Sequence, residues 1–229
     1  KDKGYKNFTV SLDSPAKNFS SYTWNEVVNQ YGIRESPGLL PDFDIQPKSL
    51  SEDEKAVLDH IVKDCSFKND AYLLDSYASE ATRSTIVDAF MVGAMHFYKS
   101  GMYLAQQRQM SGMRGHGEVD FAVLDRIHQN QVLGVTEVKK DDHVQGLAQN
   151  MVQLDVAVQQ KKRKRTEEED EDSGERPPVR FNSYGIVTDS VKWTLVAGTL
   201  DEDDNLEFRT KEIPGTLGLK EGEECMRKD

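Results

Sequence analysis

The chain has 229 residues, enough for one large domain or a domain with an extension, and its formal net charge is −11 at pH 7. A chain this acidic does not hold nucleic acid by bulk attraction, because phosphate binding depends on lysine and arginine. No apolar run reaches the roughly 18–20 residues of a membrane helix, so we expect no membrane association. Cys65 and Cys225 are too few for a disulfide framework, which favours a reducing compartment.

The N-terminal part, residues 1–70, is predicted to be a partly helical extension. The chain starts at Lys1 rather than Met, so we expect it to be a piece of a longer protein. Tyr22–Tyr31 is predicted to form a short helix, followed by a loop at 32–48 that carries glycines and prolines. Ser51 and Glu54 match a capping box, which predicts a second helix. Its apolar face would contain Val57, Leu58, Ile61 and Val62.

Residues 71–199 are predicted to form the core. Apolar residues at helical spacing predict helices at Glu80–Lys99 and Asp142–Gln160. The predicted strands are Val119–Arg126, Gln131–Lys139, Tyr184–Asp189 and Val191–Thr199, with Met102–Met110 and Leu206–Thr210 as possible further strands. A tight turn at His128–Asn130 would join the first two strands. The order α-β-β-β-α-β predicts an α/β fold in which helices flank a small mixed sheet.

Charge along the chain is uneven. Much of the acid lies in 166–175 and in the C-terminal segment 200–229, whereas 71–160 is close to balanced. The stretch 161–178 is of low complexity, with a basic cluster, an acidic run and then two prolines, so we predict a disordered insertion. The basic cluster consists of Lys161, Lys162, Arg163, Lys164 and Arg165. A nuclear localisation signal read by an import receptor is the favoured interpretation, and a phosphate-binding patch or a solvated charge run are the alternatives.

The residues with the clearest chemical meaning are Asp120, Glu137 and Lys139, on the first two predicted strands. Side chains alternate along a strand, so Asp120 should share a face with Glu118, and Val119, Phe121 and Val123 should share the other. Glu137 and Lys139 should point together, away from Val138. If the strands pair as a hairpin, the two acids and the lysine converge at one end of the sheet.

Such a cluster is costly unless its charges are paired or bound to a cation. Two carboxylates suit Mg²⁺, which prefers oxygen ligands and retains several waters. A metal there would polarise a phosphodiester and lower the pKa of bound water. Lys139 would orient the attacking water or offset negative charge on the phosphate. The alternative is a surface ion-pair cluster without catalytic function.

Asp120 followed by Glu137-Val138-Lys139 resembles the PD-(D/E)XK nuclease superfamily, with Val119 in place of the family's proline. The resemblance implies a restriction-endonuclease-like core and hydrolysis of nucleic acid, with DNA the expected substrate. It also implies Mg²⁺, with Mn²⁺ as a substitute, held by Asp120, Glu137, the Val138 carbonyl and Glu80. Catalytic roles carry over to Lys139 and to two glutamines of the following helix. Those glutamines are Gln149 and Gln153.

A narrower resemblance rests on EVKKDDHVQGLAQNMVQLDVA at 137–157 and GHGEVDF at 115–121. These segments are similar to the nuclease-like C-terminal domains of Crinkler effectors. The resemblance implies a secreted effector that acts in a host nucleus, although the family's translocation header is not present in this sequence. The alternative is a catalytically inactive nuclease-fold module that binds a host nuclear protein or DNA.

Overall fold

The computed structural model describes residues 16–46, 49–72, 77–128, 131–171, 181–201 and 203–213. No helix in this part of the chain is both long and apolar enough to cross a membrane. The predicted turn at His128–Asn130 lies partly outside the described residues, as do the segments 1–15 and 214–229 and the two prolines of the predicted insertion.

Each of the first three helices begins directly after a residue that caps its N-terminus. Helix α1 is Trp24–Tyr31 and starts with a capping box formed by Thr23 and Glu26. Helix α2 is Glu52–Tyr72, and Glu54 N–H donates to the Ser51 hydroxyl as the second capping box predicts. Helix α3 is Glu80–Tyr98, with Ser79 as its N-cap. These caps satisfy backbone N–H groups that the helices leave unpaired.

The strands form one mixed seven-stranded sheet with the order β1-β3-β4-β5-β6-β7, and β2 also pairs with β3. The strands are β1 Lys17–Asn18, β2 Met102–Ser111, β3 Gly115–Asp125, β4 Val132–Val138, β5 Asn182–Thr188, β6 Trp193–Leu200 and β7 Leu206–Ile213. Strand β3 is antiparallel to β2 and β4, and β4 is parallel to β5. The predicted α/β class with a mixed sheet is confirmed, and Met102–Ser111 is a strand.

Helices cover both faces of the sheet. Helix α4, His143–Glu171, packs on one face through residues such as Leu147 and Met151, which share the main core with Val135 and Val187. Helix α3 covers the other face, where Val87 and Met91 contact Phe121 and Val138. Helix α2 packs on the outer side of α3 through Ile61 and Cys65. The layers are therefore α4, sheet, α3 and α2.

The basic cluster is helical, so the prediction that disorder begins at residue 161 is wrong. Helix α4 continues through the cluster to Glu171. Lys161 is 8% exposed, and its Nζ donates to the carbonyl of Asn182 at 2.6 Å. Lys162 forms an ion pair with Asp204 at 2.7 Å. The two contacts join the helix to the start of β5 and to the turn between β6 and β7. The low complexity of the sequence does not reveal them.

The segments predicted to flank the core are built into it. Phe19, Tyr22, Val27 and Leu40 are buried in the same cluster as α4 and the sheet, and β1 pairs with the start of β3. At the other end, β7 pairs with β6 along its length. Residues 206–213 of the predicted acidic segment form a strand, which extends the possible strand predicted at Leu206–Thr210 and buries Phe208.

The prediction that side chains alternate strictly along β3 is also wrong, at Val119. Val119 lies in the core beneath α4, whereas Phe121 and Val123 lie on the α3 side. On β2, the backbone of Gln107 is left-handed, with φ of 48°, between the residues that pair with Val119 and Phe121. Such a residue kinks a strand and increases its local twist. The kink lies beside Asp120, where strained backbone often accompanies function.

Candidate functional site

The pairing of β3 with β4 brings Asp120 next to the end of β4. Phe121 pairs with Thr136, so Asp120 and Glu137 are neighbours across the two strands. The Oδ2 atom of Asp120 accepts a hydrogen bond from the Val138 N–H at 2.7 Å. The carboxylate of Asp120 is therefore fixed against the backbone that carries Glu137 and Lys139.

Both oxygens of Glu137 have partners. Oε1 lies 2.7 Å from the Nζ of Lys139, and Oε2 accepts from the Nε2 of Gln153 at 2.8 Å. Glu137 is 2% exposed and Gln153 is fully buried, so this contact joins β4 to α4 inside the core. A buried carboxylate with a lysine on one oxygen and an amide on the other has a fixed orientation.

The electrostatics of the site are those of a buried carboxylate, Glu137, and a partly buried one, Asp120, beside a single lysine. Burial, followed by repulsion from Asp120, raises the pKa of Glu137 to about 7 despite the contact with Lys139. Burial also raises the pKa of Asp120, against the hydrogen bond from Val138 and the charge of Lys139. A further positive charge next to both acids would relieve this repulsion.

Lys139 runs along the first turn of α4. Burial lowers the pKa of its ammonium group, but attraction to Glu137 outweighs burial and the net shift is upward. A Cβ atom on Gly146 would lie 2.7 Å from the Cγ of Lys139 and 2.9 Å from the Cγ1 of Val187. The absence of a side chain at Gly146 therefore makes room for the stem of Lys139 between the helix and β5.

Glu80 lies in the first turn of α3, beside the same group of residues. Its Oε1 accepts from the backbone N–H of Lys140 at 3.4 Å. Its negative charge contributes to the raised pKa values of Asp120 and Lys139. Glu80 is exposed, whereas Arg83 one turn later is buried and its Nη1 donates to the carbonyl of Asp189 at 2.8 Å. The start of α3 is thus fixed to the sheet near the site.

Gln145, Gln149 and Gln153 are four residues apart and form one stripe along α4, which is buried at Gln149 and Gln153. Gln145 donates to the carbonyl of Ser20 at 2.9 Å, and Gln153 donates to Glu137. Gln149, between them on the same stripe, is 4% exposed, and its Oε1 has no hydrogen-bond partner among the described residues. An unsatisfied buried acceptor suits the hydrogen of a bound water.

Two residues that the sequence analysis did not select also contribute. Gly146 accommodates Lys139, and a glycine in the first turn of a helix that follows E-x-K was the signal that could have identified it. Asn150 is fully buried and donates to the carbonyl of Val135 on β4 at 3.4 Å. An asparagine within the apolar face of a predicted helix was the corresponding signal.

The chemistry of the donors fits a hydrated divalent cation. Asp120 and Glu137 supply carboxylate oxygens, and Gln149 supplies an unsatisfied acceptor one helical turn from Gln153. Within the described ranges, no group of three or more His, Cys, Asp or Glu residues has the geometry of a metal site. The two carboxylates are oxygen donors of the kind that Mg²⁺ prefers, and Mg²⁺ keeps several waters when bound.

Fold and site together define an α/β protein whose paired strands bring two acids and a lysine to one place. No protein-family model matches the chain. The chain is similar to Crinkler effector protein 1 of Rhizophagus irregularis (strain DAOM 181602 / DAOM 197198 / MUCL 43194), with 31% identity over 207 residues. The match covers 88% of this chain and 42% of the relative, so the chain spans about two fifths of that protein's length. This similarity supports a Crinkler-like relationship.

Proposed function

We propose that this chain is a metal-dependent nuclease domain of the PD-(D/E)XK type, which hydrolyses phosphodiester bonds in nucleic acid, with DNA as the expected substrate. The observation that carries the proposal is the contact of Glu137 with Lys139 and Gln153, next to Asp120. We also propose that the fold is like that of restriction endonucleases. The same contacts and the element order α3-β2-β3-β4-α4-β5 support this likeness.

In this proposal Asp120 and Glu137 hold Mg²⁺ or Mn²⁺, with the Val138 carbonyl and Glu80 as further ligands. The metal would supply Lewis acidity and a water of lowered pKa. Gln153 keeps the Glu137 carboxylate in one orientation, because it is buried and hydrogen-bonded to Oε2. The ammonium group of Lys139 orients the attacking water and offsets negative charge on the phosphate. Gln149 accepts a hydrogen bond from water at the site.

We also propose an effector role in a host nucleus, supported by the similarity to a protein named as a Crinkler effector. Import through Lys161–Arg165 would require the end of α4 to open, because Lys161 is buried and Lys162 is paired with Asp204. A second candidate function is that of an inactive nuclease-fold module that binds nuclear protein or DNA. The net charge of −11 favours this alternative.

The test is cleavage of plasmid DNA and of RNA, with and without Mg²⁺. We expect metal-dependent cleavage by the wild-type chain and a loss of at least 100-fold in Asp120→Ala and Lys139→Ala, because the ligand or the positive charge at the phosphate is removed. Lys68→Ala is the matched control, since it also removes a lysine paired with an acid at 2.7 Å, but on α2. Circular dichroism would establish that each variant is folded.

Calorimetric titration with Mg²⁺ and Mn²⁺ distinguishes the two candidate functions. A nuclease site must take up metal, and Asp120→Ala should weaken that uptake. Wild-type cleavage in Asp120→Ala or Lys139→Ala would exclude the proposed site. A folded wild-type chain that binds DNA without metal uptake or cleavage would favour the inactive module.

A further inference from the structure

A cavity of about 190 Å³ lies between the end of β2, the start of β4 and the distal part of α4. Its lining residues are Arg108, Gln109, Met110, Ser111, Gln131, Val132, Gln160 and Lys164. None of the residues of the candidate metal site belongs to this set. The cavity includes Lys164 of the basic cluster, which has no role in the proposed cleavage chemistry.

The lining has the composition of an anion site. Two of the eight residues are cations, three are glutamines and one is a serine, and none carries a carboxylate. The charge of the lining is therefore opposite to that of the whole chain, whose net charge is −11. Among the described residues, no carboxylate forms an ion pair with the exposed side chain of Arg108, whereas Lys164 already has an interaction partner. Glu118 touches the rim, where its Oε2 accepts from Gln109 at 3.3 Å.

The cavity is built by contacts that fix its walls. Gln160 donates from Nε2 to the carbonyl of Ser111 at 3.0 Å, which joins α4 to the end of β2. Lys161 is anchored to the carbonyl of Asn182, so the rotation of the helix about its axis is set. Lys164 lies one turn after Gln160 and therefore faces the same side. On β2, the left-handed backbone of Gln107 redirects the strand immediately before Arg108.

We propose that this cavity binds a phosphate group of the nucleic-acid backbone, with Arg108 and Lys164 as its cationic ligands. A guanidinium group donates two parallel hydrogen bonds to phosphate oxygens, and an ammonium group adds a point charge. Gln131 contributes neutral donor capacity at the wall. The choice of nucleic acid as the source of the phosphate rests on the proposed function. Lys164 thus belongs to a folded binding site rather than only to a linear signal.

The test measures binding separately from cleavage. Fluorescence anisotropy of a labelled DNA duplex, in EDTA, reports the affinity of the full chain at several salt concentrations. We expect Arg108→Ala and Lys164→Ala each to weaken binding by about fivefold to tenfold, because each removes a phosphate contact. Each should also reduce the slope of the logarithm of the binding constant against the logarithm of salt concentration by about one. Arg163→Ala is the matched control: it removes a positive charge from an exposed residue next to Lys164 that does not line the cavity.

A second measurement uses inorganic phosphate as the probe. Amide signals of Ser111, Gln131 and Gln160 in NMR spectra should shift on titration of the wild-type chain and remain unchanged in the Arg108→Ala/Lys164→Ala double variant. Equal losses of DNA affinity in Arg163→Ala and in the cavity variants would overturn the proposal, since only overall charge would then matter. Phosphate shifts at the cavity with unaltered DNA affinity would overturn the assignment to nucleic acid.

The two proposals fail separately. If the wild-type chain binds DNA through the cavity but does not cleave it, the nuclease proposal is wrong and the phosphate-site proposal stands. If the chain cleaves DNA with Mg²⁺ but its cavity variants bind DNA as Arg163→Ala does, the nuclease proposal stands and the phosphate-site proposal is wrong. No binding of DNA by the wild-type chain would remove the cavity assignment as well.

Discussion

At the scale of single residues, the site depends on a carboxylate that is difficult to ionise. Glu137 is almost fully buried next to Asp120, and its charged form is stabilised only in part by Lys139 and Gln153. In such surroundings a proton and a metal ion compete for the same oxygens. The raised pKa of Glu137 therefore links the stability of the fold, the uptake of metal and pH.

This link gives a pH-dependent prediction for Glu137→Gln. The pKa of Glu137 is about 7 in the folded chain against an ordinary value of 4.5, so the folded state binds the proton more tightly between these values. The free energy of unfolding should therefore fall as pH rises from about 4.5 to about 7, by up to about 1.4 kcal/mol per pH unit. Glu137→Gln should lose this part of the pH dependence. Urea denaturation in EDTA at pH 5 and pH 8 measures it.

The control for that experiment is Glu118→Gln, which changes an exposed glutamate on β3. It should retain the wild-type difference in stability between pH 5 and pH 8. If Glu137→Gln retains the same difference, then Glu137 is not the group whose protonation favours the folded state. Addition of Mg²⁺ should stabilise the wild-type chain more at pH 8 than at pH 5, because the ionised carboxylate is the ligand.

At the scale of secondary-structure elements, α4 organises the site. Its first turn accommodates Lys139 at Gly146, its second and third turns carry Gln149 and Gln153, and its distal part carries Gln160 and Lys164. One helix therefore spans the candidate metal site and the cavity proposed to bind phosphate. A change in its position would affect both sites.

Gly146→Ala tests the contact between α4 and Lys139. Alanine favours a helix by about 1 kcal/mol over glycine, but here its Cβ would overlap the stem of Lys139. We expect Lys139 to move away from Glu137, so that cleavage falls by about tenfold or more while DNA affinity in EDTA stays the same. The pKa of Lys139, followed by NMR of its Cε, should decrease as the attraction to Glu137 weakens.

Gly93→Ala is the matched control for this variant. A Cβ there would lie 2.5 Å from the Cγ1 of Ile61, in the contact between α2 and α3. It should destabilise the chain by about 1–3 kcal/mol through overpacking without changing the pKa of Lys139. An unchanged pKa of Lys139 in Gly146→Ala, together with wild-type cleavage, would contradict a positioning role for Gly146.

At the scale of the whole molecule, the N-terminal segment and the core fold as one unit. Phe19 is 1% exposed and lies against the backbone of Gly115 and Gly117 on β3. The hydroxyl group of Tyr31 donates to Asp155 on α4 at 2.9 Å, inside a cluster that includes Arg114. Burial raises the pKa values of both Tyr31 and Asp155. Their hydrogen bond joins α1 to α4.

Phe19→Ala tests this integration. Removing a buried phenylalanine side chain costs about 3–5 kcal/mol of unfolding free energy, and we expect one cooperative transition in urea that is shifted to lower concentration. Leu39→Ala is the control within the same segment, because Leu39 is 72% exposed and should change stability by less than about 0.5 kcal/mol. A small effect of Phe19→Ala would mean that residues 16–46 pack only weakly on the sheet.

The sequence analysis succeeded where the relevant interactions are local. The Ser51–Glu54 capping box marked the start of α2, and alternation in β4 placed Glu137 and Lys139 opposite Val138. It failed where distant segments decide the outcome. The basic end of α4 is held by Asn182 and Asp204, and Val119 changes faces because of a kink in the neighbouring strand. Neither effect has a signature within its own segment.

The sequence by itself determined the α/β class, the main helices and strands, and the residue types from which a metal site can be built. These follow from hydrophobic periodicity and capping, which act over a few residues. Only the tertiary structure decided that Asp120, Glu137, Lys139 and Gln153 meet, that residues 17–42 share the core, and that Arg108 and Lys164 face one cavity. The physical reason is that strand register and helix docking are set by burial of surfaces far apart in the chain.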